Sequence, residues 1–360
     1  MSHLKNLQAA MRAAHAEAIV VSSEINQRYL SGLHYTDGFV VVLPDAAFLL
    51  ADFRYIEDAR TIVDASEFEV VRPDRPMIAY VGAILADHGV KIALFEEGSL
   101  SYALLEKFKK TFAGVELAPG GSALIDDLRL YKDDAEIAAM TRAQKLTDDA
   151  FAHILGFITP DRTEVEVALE LEFYMRAHGS EGTAFETIAV SGTNSSRPHG
   201  VPRPVKLEKG FFTMDFGARV DGYCSDMTRT VVIGRADDEI KRLYNTVLAA
   251  QTIAIASLKV GMKCADADKI ARDIIDNAGY KGRFGHSLGH GVGLFIHENP
   301  RLAGSMPDDM VLRPGHVVTV EPGIYIEGKY GCRIEDMIAV RADGSIYDFT
   351  QSPKELIELC

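Results

Sequence analysis

The chain has 360 residues, and 47% of them are hydrophobic, which is enough for a large core. Its 38 basic and 52 acidic residues leave a formal net charge of −14, which argues against nucleic acid and against an anionic membrane surface as partners. No apolar run has the length of a membrane span or the position of a secretory signal, and the four cysteines form no CxxC pair, so we expect a cytoplasmic protein.

The first third of the chain alternates helical and strand patterns. Helices are predicted where apolar residues recur with helical spacing, at residues 4–14, 52–60, 77–87 and 102–112. Strands are predicted at short apolar runs, at residues 18–21, 39–43, 47–50, 68–71 and 91–95. This alternation predicts a mixed α/β domain over residues 1–122, ended by the Pro-Gly-Gly-Ser stretch of residues 119–122.

Residues 127–360 are predicted to form a second domain. Its helices are expected at residues 127–177, 239–258 and 265–277. Its strands are expected at residues 187–190, 211–216, 223–232, 317–326 and 332–340. Between them, the glycines of residues 284–297 predict irregular backbone. Because helices are followed by a strand pair twice, we expect an α+β fold in which helices surround a curved antiparallel sheet.

Two pairs of acidic residues stand at matching places in this second domain. Asp215 and Asp226 flank Asp221-Gly222, a strong hairpin-turn dipeptide, so a hairpin centred there would set the two carboxylates nearly opposite each other. Glu321 and Glu335 are related in the same way about Gly328. Opposed like charges in apolar strands are costly. Either one acid of a pair is solvated in a loop, or a bound cation offsets both charges; two such pairs favour the cation.

Histidines supply nitrogen donors. His286, His290 and His297 cluster in the glycine-rich segment, where we expect glycine to let the backbone approach a ligand. His199 stands alone, and a lone histidine is commonly a hydrogen-bonded structural residue. A site made of the four carboxylates and one imidazole would favour Mn²⁺ or Co²⁺ as the bound ion, with Zn²⁺ also possible. Because four carboxylates exceed what one cation needs, we expect two divalent ions that share carboxylates, hold a hydroxide and clamp the attacked carbonyl oxygen.

In their local contexts these residues resemble the metal ligands of the pita-bread metallopeptidases, a family that includes Xaa-Pro aminopeptidases, Xaa-Pro dipeptidases (prolidases) and methionine aminopeptidases. The five matching residues are Asp215, Asp226, His290, Glu321 and Glu335. The resemblance extends to residues 26–32 and 51–57, which are similar to the creatinase-type α/β domain that precedes the catalytic domain. It implies a creatinase-like first domain followed by a pita-bread catalytic domain.

The resemblance also implies a role for each residue. Asp226 and Glu335 would bridge two metal ions, Asp215 would complete one ion, and His290 and Glu321 the other. Glu321 would also accept the proton of the attacking water.

Other matches lie on the substrate side. His199 and His297 resemble histidines that hold the substrate and stabilise the tetrahedral intermediate. His286 resembles a further pocket histidine, and Arg333 an arginine that supports the bridging carboxylates and the proton relay. Tyr325 is expected either to line the site or to be a packed strand residue.

From the resemblance we expect a metallo-exopeptidase, in the first place an aminopeptidase that hydrolyses the N-terminal Xaa-Pro bond of proline-containing peptides. An Xaa-Pro dipeptidase is the alternative, and Arg301 is a candidate for binding the proline carboxylate, for the site wall or for a surface salt bridge. A non-catalytic peptide-binding module and a metal-free creatinase-like hydrolase are more remote, because such relatives lose metal ligands. The resemblance also implies a homodimer.

Overall fold

The computed structural model describes residues 2–359, so Cys360 lies outside the described residues. The chain divides into two compact units, the first ending at Arg129 and the second beginning at Leu130. The sequence analysis placed a boundary at residues 119–122. There the chain turns into a helix, Gly121–Arg129, whose Ile125 and Arg129 are buried within the first unit.

The first unit is a mixed six-stranded sheet with helices. Its helices α1–α6 are His3–Ala13, Glu24–Ser31, Ile56–Ile62, Met77–Asp87, Tyr102–Thr111 and Gly121–Arg129. Its strands β1–β6 are Ala18–Val21, Phe39–Val42, Ala47–Leu50, Glu69–Val71, Ile92–Phe95 and Glu116–Pro119. The strand order is β4-β3-β2-β1-β5-β6, with β1 antiparallel to β2 and parallel to β5. The predicted α/β character is confirmed.

Two elements of this unit were not predicted. Helix α2 has few apolar residues, and its ends are fixed by local groups: the Ser23 hydroxyl accepts a hydrogen bond from the Asn26 amide, and Gly32 adopts a left-handed conformation with φ of 75°. Strand β6 carries Pro119 at its end, a residue that the sequence analysis took as a break.

The second unit contains two sheets and two short hairpins. Its helices α7–α10 are Asp134–Phe157, Glu164–Ala177, Asp238–Ser257 and Cys264–Ile275. Its strands β7–β13 are Ile188–Ser191, Gly210–Phe216, Arg219–Val220, Tyr223–Cys224, Met227–Ile233, Gly289–Gly291 and Glu298–Leu302. Its strands β14–β19 are Val317–Val320, Gly323–Ile326, Tyr330–Arg333, Asp336–Val340, Ile346–Asp348 and Glu358–Leu359. The sheet orders are β19-β11-β8-β7 and β13-β12-β14-β17-β18, and β9-β10 and β15-β16 form the hairpins. Both sheets are antiparallel except where β19 runs parallel to β11.

The long helical region predicted from residue 127 is three helices, α6, α7 and α8. Helix α7 begins at a capping box of Asp133 and Glu136, and α8 begins at one of Thr163 and Glu166. Pro160 separates them, because proline disfavours helical backbone in the residue before it.

The repeated outline predicted from the order of helices and strands is visible in the packing. Helices α7 and α8, with the residue that follows α7, bury apolar side chains at Ile154, Ile158, Val167 and Leu171. One hundred positions later, the helix pair α9 and α10 buries Ala254, Leu258, Ala267 and Ala271. Each helix pair therefore packs one equivalent face toward its own part of the core.

Candidate metal centre

A cavity of about 480 Å³ in the second unit brings the predicted site residues together. Of the predicted residues, those lining it are Asp215, Asp226, Glu321, Glu335, His199, His286, His290, His297 and Arg333. Tyr325 does not line the cavity; its hydroxyl accepts a hydrogen bond from Arg333 Nη1 at 2.7 Å. Arg301 also lines the cavity.

The first hairpin positions two of the carboxylates. Asp221 and Gly222 both have positive φ, 51° and 85°, as the predicted Asp-Gly turn requires. The register pairs Asp215 with Thr228 rather than with Asp226, so the predicted direct opposition is shifted by two residues. Because side chains two positions apart share a face of a strand, Asp226 remains a diagonal neighbour of Asp215.

The second hairpin fulfils its prediction directly. Val320 pairs with Asp336, and Gly323 pairs with Arg333, so Glu321 and Glu335 face each other in the break between these paired segments. Asp226 likewise lies between β10 and β11. Three of the four carboxylates therefore lie where a strand is interrupted.

His290 stands on strand β12, in a segment that was predicted to be irregular. A Cβ on Gly289 would lie 1.9 Å from the Thr319 carbonyl oxygen, and one on Gly291 would lie 2.2 Å from that of Asn299. The glycines therefore admit neighbouring strands, which corrects the expectation that they serve the approach of a ligand.

The imidazole of His290 points toward the acidic residues. Its Nδ1 lies 3.0 Å from the Gly291 carbonyl oxygen. Because a carbonyl oxygen can only accept, Nδ1 is the protonated ring nitrogen and donates a hydrogen bond to it. Its Nε2 lies 3.5 Å from Asp226 Oδ2 and 3.4 Å from Glu321 Oε1. Asp226, His290 and Glu335 each offer a donor atom within 4.8 Å of the others.

In two of the carboxylates, one oxygen accepts a hydrogen bond and the other has no hydrogen-bond partner among the described residues. Arg333 Nη2 donates to Asp215 Oδ2 at 2.6 Å, and the Thr228 hydroxyl donates to Glu335 Oε2 at 2.6 Å. Asp215 Oδ1 and Glu335 Oε1 are buried and have no hydrogen-bond partner in the part of the chain that the structure describes. Buried carboxylate oxygens without donors are costly, and divalent cations offset that cost. The residues present therefore fit a metal site.

The pKa shifts of these residues also indicate a metal site. Burial, and then the charges of Glu335, Asp215 and Glu321, raise the pKa of Asp226 well above its ordinary value. Burial and the charges of Glu321 and Asp215 do the same to the pKa of Glu335, and burial raises the pKa of Glu321 to about 8. Burial lowers the pKa of His290 to about 4, so its imidazole is neutral near pH 7 and can ligate a metal.

The histidines predicted to contact substrate differ in exposure. His199 and His297 are exposed in the cavity, whereas His286 is half-buried, with Nε2 3.0 Å from the Tyr325 hydroxyl. The rings of His290 and His297 meet edge to face, with centroids 4.3 Å apart. His297 therefore lies beside the acidic cluster, with its ring open to the cavity.

Sequence reasoning missed Arg229, which supports the site from behind. Its side chain is 1% exposed, and its Nη2 donates to Asp336 Oδ1 at 2.8 Å. Its Nη1 donates to the carbonyl oxygens of Glu335 and Thr228 at 2.7 and 3.0 Å. The available signal was a charged residue inside an apolar strand. Cys224 and Cys332 are buried free thiols.

Comparison with known proteins places this site in a family. The family model of metallopeptidase family M24 matches residues 138–342. The chain belongs to that family. A model of the Creatinase/Prolidase N-terminal domain matches residues 3–131. The resemblance to the pita-bread metallopeptidases and the predicted fold class are therefore confirmed.

Several relatives of this metallopeptidase match it along nearly their whole length. It is 41% identical over 344 residues to the uncharacterized peptidase YqhT of Bacillus subtilis (strain 168), which covers 95% of this chain and 96% of that protein. Among solved structures, an Xaa-Pro dipeptidase from Bacillus anthracis matches with a TM-score of 0.94 at 41% identity, covering 99% of both chains. An X-Pro aminopeptidase from Thermotoga maritima MSB8 matches with a TM-score of 0.90 at 32% identity, covering 98% of this chain and 100% of that chain.

Among residues 2–359, none of the helices combines the length and the apolar character needed to cross a bilayer.

Proposed function

We propose that this M24 metallopeptidase is an exopeptidase that hydrolyses the bond between an N-terminal residue and proline. The observation that carries the proposal is the buried acidic cluster around His290, whose bare carboxylate oxygens open into a cavity bordered by exposed histidines. A peptide-binding module without metal would leave these carboxylates uncompensated, which disfavours it.

The residues that would hold two divalent ions are Asp215, Asp226, His290, Glu321 and Glu335. Asp226 and Glu335 would be shared, Asp215 would complete one ion, and His290 and Glu321 the other. When bound, the ions would lower the pKa of a water molecule and polarise the substrate carbonyl. We propose Mn²⁺ as the native ion, with Co²⁺ and Zn²⁺ as substitutes, because oxygen donors outnumber the single imidazole.

Glu321 is the residue proposed to move the proton. Its Oε1 accepts a hydrogen bond from the Thr319 hydroxyl at 3.2 Å, which fixes the orientation of the carboxylate. Glu321 would take a proton from the attacking water and deliver it to the leaving proline nitrogen.

His199 and His297 are proposed to bind the peptide carbonyl oxygen and to stabilise the charge that develops on it. Both are exposed in the cavity and can donate from an imidazole nitrogen. Arg333 would hold Asp215 in place, through the 2.6 Å hydrogen bond, while the reaction proceeds. His286 would complete the wall next to Arg333, and Tyr325 would hold both side chains from behind through its hydroxyl.

Proline is supported as the second substrate residue by relatives with solved structures, whose names specify Xaa-Pro or X-Pro cleavage. A proline nitrogen in peptide linkage carries no hydrogen, so its recognition must depend on the carbonyl and on shape. The cavity meets this need with imidazole donors and the apolar side chains of Phe185, Ile188 and Ile296.

Substrate length separates two candidates. The expected aminopeptidase is supported by the Thermotoga relative, and it requires space for residues beyond proline. The dipeptidase is supported by the Bacillus anthracis relative at higher identity and by Arg301, because a guanidinium in the same cavity can pair with the proline carboxylate of a dipeptide. The two-domain layout does not separate them, since both relatives share it. We therefore propose the dipeptide as the preferred substrate.

The test compares kcat/KM for Ala-Pro and Ala-Pro-Ala in the parent protein and in Arg301→Ala. We expect faster cleavage of Ala-Pro, and a loss in Arg301→Ala that is confined to the dipeptide, because only its carboxylate meets the guanidinium. Arg313→Ala, which changes an exposed arginine outside the cavity, is the matched control. Faster cleavage of Ala-Pro-Ala, with equal losses for both substrates, would instead establish the aminopeptidase.

The family resemblance also underlies two further proposals, a homodimeric assembly and a cytoplasmic location. Light scattering of the purified protein tests the first, since a homodimer has twice the mass of the chain. Fractionation of the source cells tests the second.

A further inference from the structure

The segment that carries His199 is held by one buried carboxylate, that of Glu164. The Glu164 side chain is fully buried in the first turn of α8. Its Oε1 accepts hydrogen bonds from the Ser191 amide at 2.8 Å, the Ser191 hydroxyl at 2.9 Å and Arg203 Nη2 at 2.9 Å. Its Oε2 accepts from Asn194 Nδ2 at 3.0 Å, and from the amide and Nε of Arg203 at 2.9 and 3.0 Å. Glu164 thus ties together both ends of residues 191–203.

Between these ends the segment contacts the acidic site. The Ser195 hydroxyl accepts a hydrogen bond from the Gly331 amide at 3.0 Å, and the Pro198 carbonyl oxygen accepts one from Arg333 Nη1 at 3.2 Å. His199 follows directly and is exposed in the cavity. The place of its imidazole is therefore set by Glu164 at the ends of the segment and by Arg333 beside it.

The second helix pair offers a comparison for this carboxylate. The position equivalent to Glu164, one hundred residues later in α10, is Cys264, which is also fully buried. A small apolar side chain therefore suffices where a helix of this kind begins against the core. A buried ion pair rarely adds stability over apolar packing, so a role other than packing is indicated for Glu164.

We propose that Glu164, paired with Arg203, is a positioning residue for His199: it fixes where the imidazole meets the substrate carbonyl. The inference rests on the proposed function, in which His199 contacts substrate. A displacement of about 1 Å in such a group costs up to roughly 10²-fold in rate.

A double-mutant cycle tests the proposal. Glu164→Gln, His199→Ala and the double variant are compared for kcat/KM, using whichever of Ala-Pro and Ala-Pro-Ala the parent cleaves faster. We expect Glu164→Gln to lose roughly tenfold in the parent background and less than about twofold when His199 is already alanine, because coupled residues are not additive. In a His297→Ala background the tenfold loss should persist. Equal losses in the His199→Ala and parent backgrounds would overturn the proposal.

Controls separate positioning from damage to the fold. Glu96→Gln changes a buried carboxylate that accepts hydrogen bonds from Ser22, Ser23 and Asn26 in the first unit, and it should leave kcat/KM unchanged. Should Glu164→Gln not fold, Arg203→Gln carries the same cycle, because the Arg203 side chain is one-third exposed.

Hydrogen exchange gives a readout that needs no activity. Glu164→Gln should speed amide exchange within residues 192–203 and leave residues 289–302 unchanged. Unchanged exchange at residues 192–203 overturns the inference, whatever the enzyme cleaves. If exchange rises as expected but the parent hydrolyses neither peptide, the proposed function fails instead, together with the role assigned to His199.

Discussion

At the scale of single residues, the site is defined by which carboxylate oxygens already have partners. Arg333 occupies one oxygen of Asp215, and Thr228 occupies one oxygen of Glu335. Arg333 Nε also donates to the Thr228 hydroxyl at 2.9 Å, so the two acids are oriented by one connected set of donors. The remaining bare oxygens define where positive charge is needed.

This charge cluster predicts an unusual pH dependence for the metal-free protein. The pKa values of Glu321, Asp226 and Glu335 are raised by burial, so near neutral pH the folded state holds more protons than the unfolded state. The free energy of unfolding should therefore fall as pH rises from about 7 to about 8, where Glu321 loses its proton, by at most ~1.4 kcal/mol per pH unit for each such group. Urea unfolding at several pH values measures this slope.

Glu321→Gln is the matched variant, since it removes one titrating carboxyl group and should flatten the decrease. The buried histidines do not interfere, because their pKa values are lowered and they titrate below this window. Saturating divalent ions should also remove the decrease, by keeping the carboxylates ionised. A metal-free protein whose stability is flat or increasing over this range would contradict the proposed cluster.

At the scale of elements, local sequence predicted the hairpins because their turns are short. Asp221-Gly222 and Gly328 mark the turns, and the midpoint between two acids then approximates the register, missing by two positions in the first hairpin. The strand at Gly289–Gly291 could not be predicted in this way. Its glycines are required by carbonyl groups of Thr319 and Asn299, which come close only in the folded sheet.

Substitution of Gly289 tests that explanation. In Gly289→Ala the added Cβ would meet the Thr319 carbonyl oxygen at 1.9 Å, so β12 must shift and carry His290 with it. We expect a loss of about 1–3 kcal/mol in stability and weaker metal binding. Gly285→Ala, whose Cβ would meet nothing within 4 Å, should stay within about 0.5 kcal/mol of the parent. Thermal unfolding measures the stability of the two variants, and metal titration measures their affinity for the ion. Equal stability and equal affinity in the two variants would refute the steric role of Gly289.

At the scale of the whole molecule, alternation of helices and strands was enough to predict the α/β and α+β classes and the duplicated outline of the second unit. Residue type and spacing were also enough to select the four acids and the three clustered histidines, whereas His199 was selected through the family resemblance; the fold gathers all of them in one cavity. Glu164 and Arg229 could not be selected, because their partners lie far along the chain and no motif pairs them. Supporting residues of this kind become visible only in three dimensions.

The central claim is that the acidic cluster holds two divalent ions on which Xaa-Pro hydrolysis depends. The most direct measurement is elemental analysis of the folded protein, before and after chelation, with hydrolysis of Ala-Pro and Ala-Pro-Ala assayed on the same samples. We predict two ions per chain in the active sample, loss of hydrolysis with their removal, and recovery when Mn²⁺ is returned. Undiminished hydrolysis by protein that contains no metal would contradict the account.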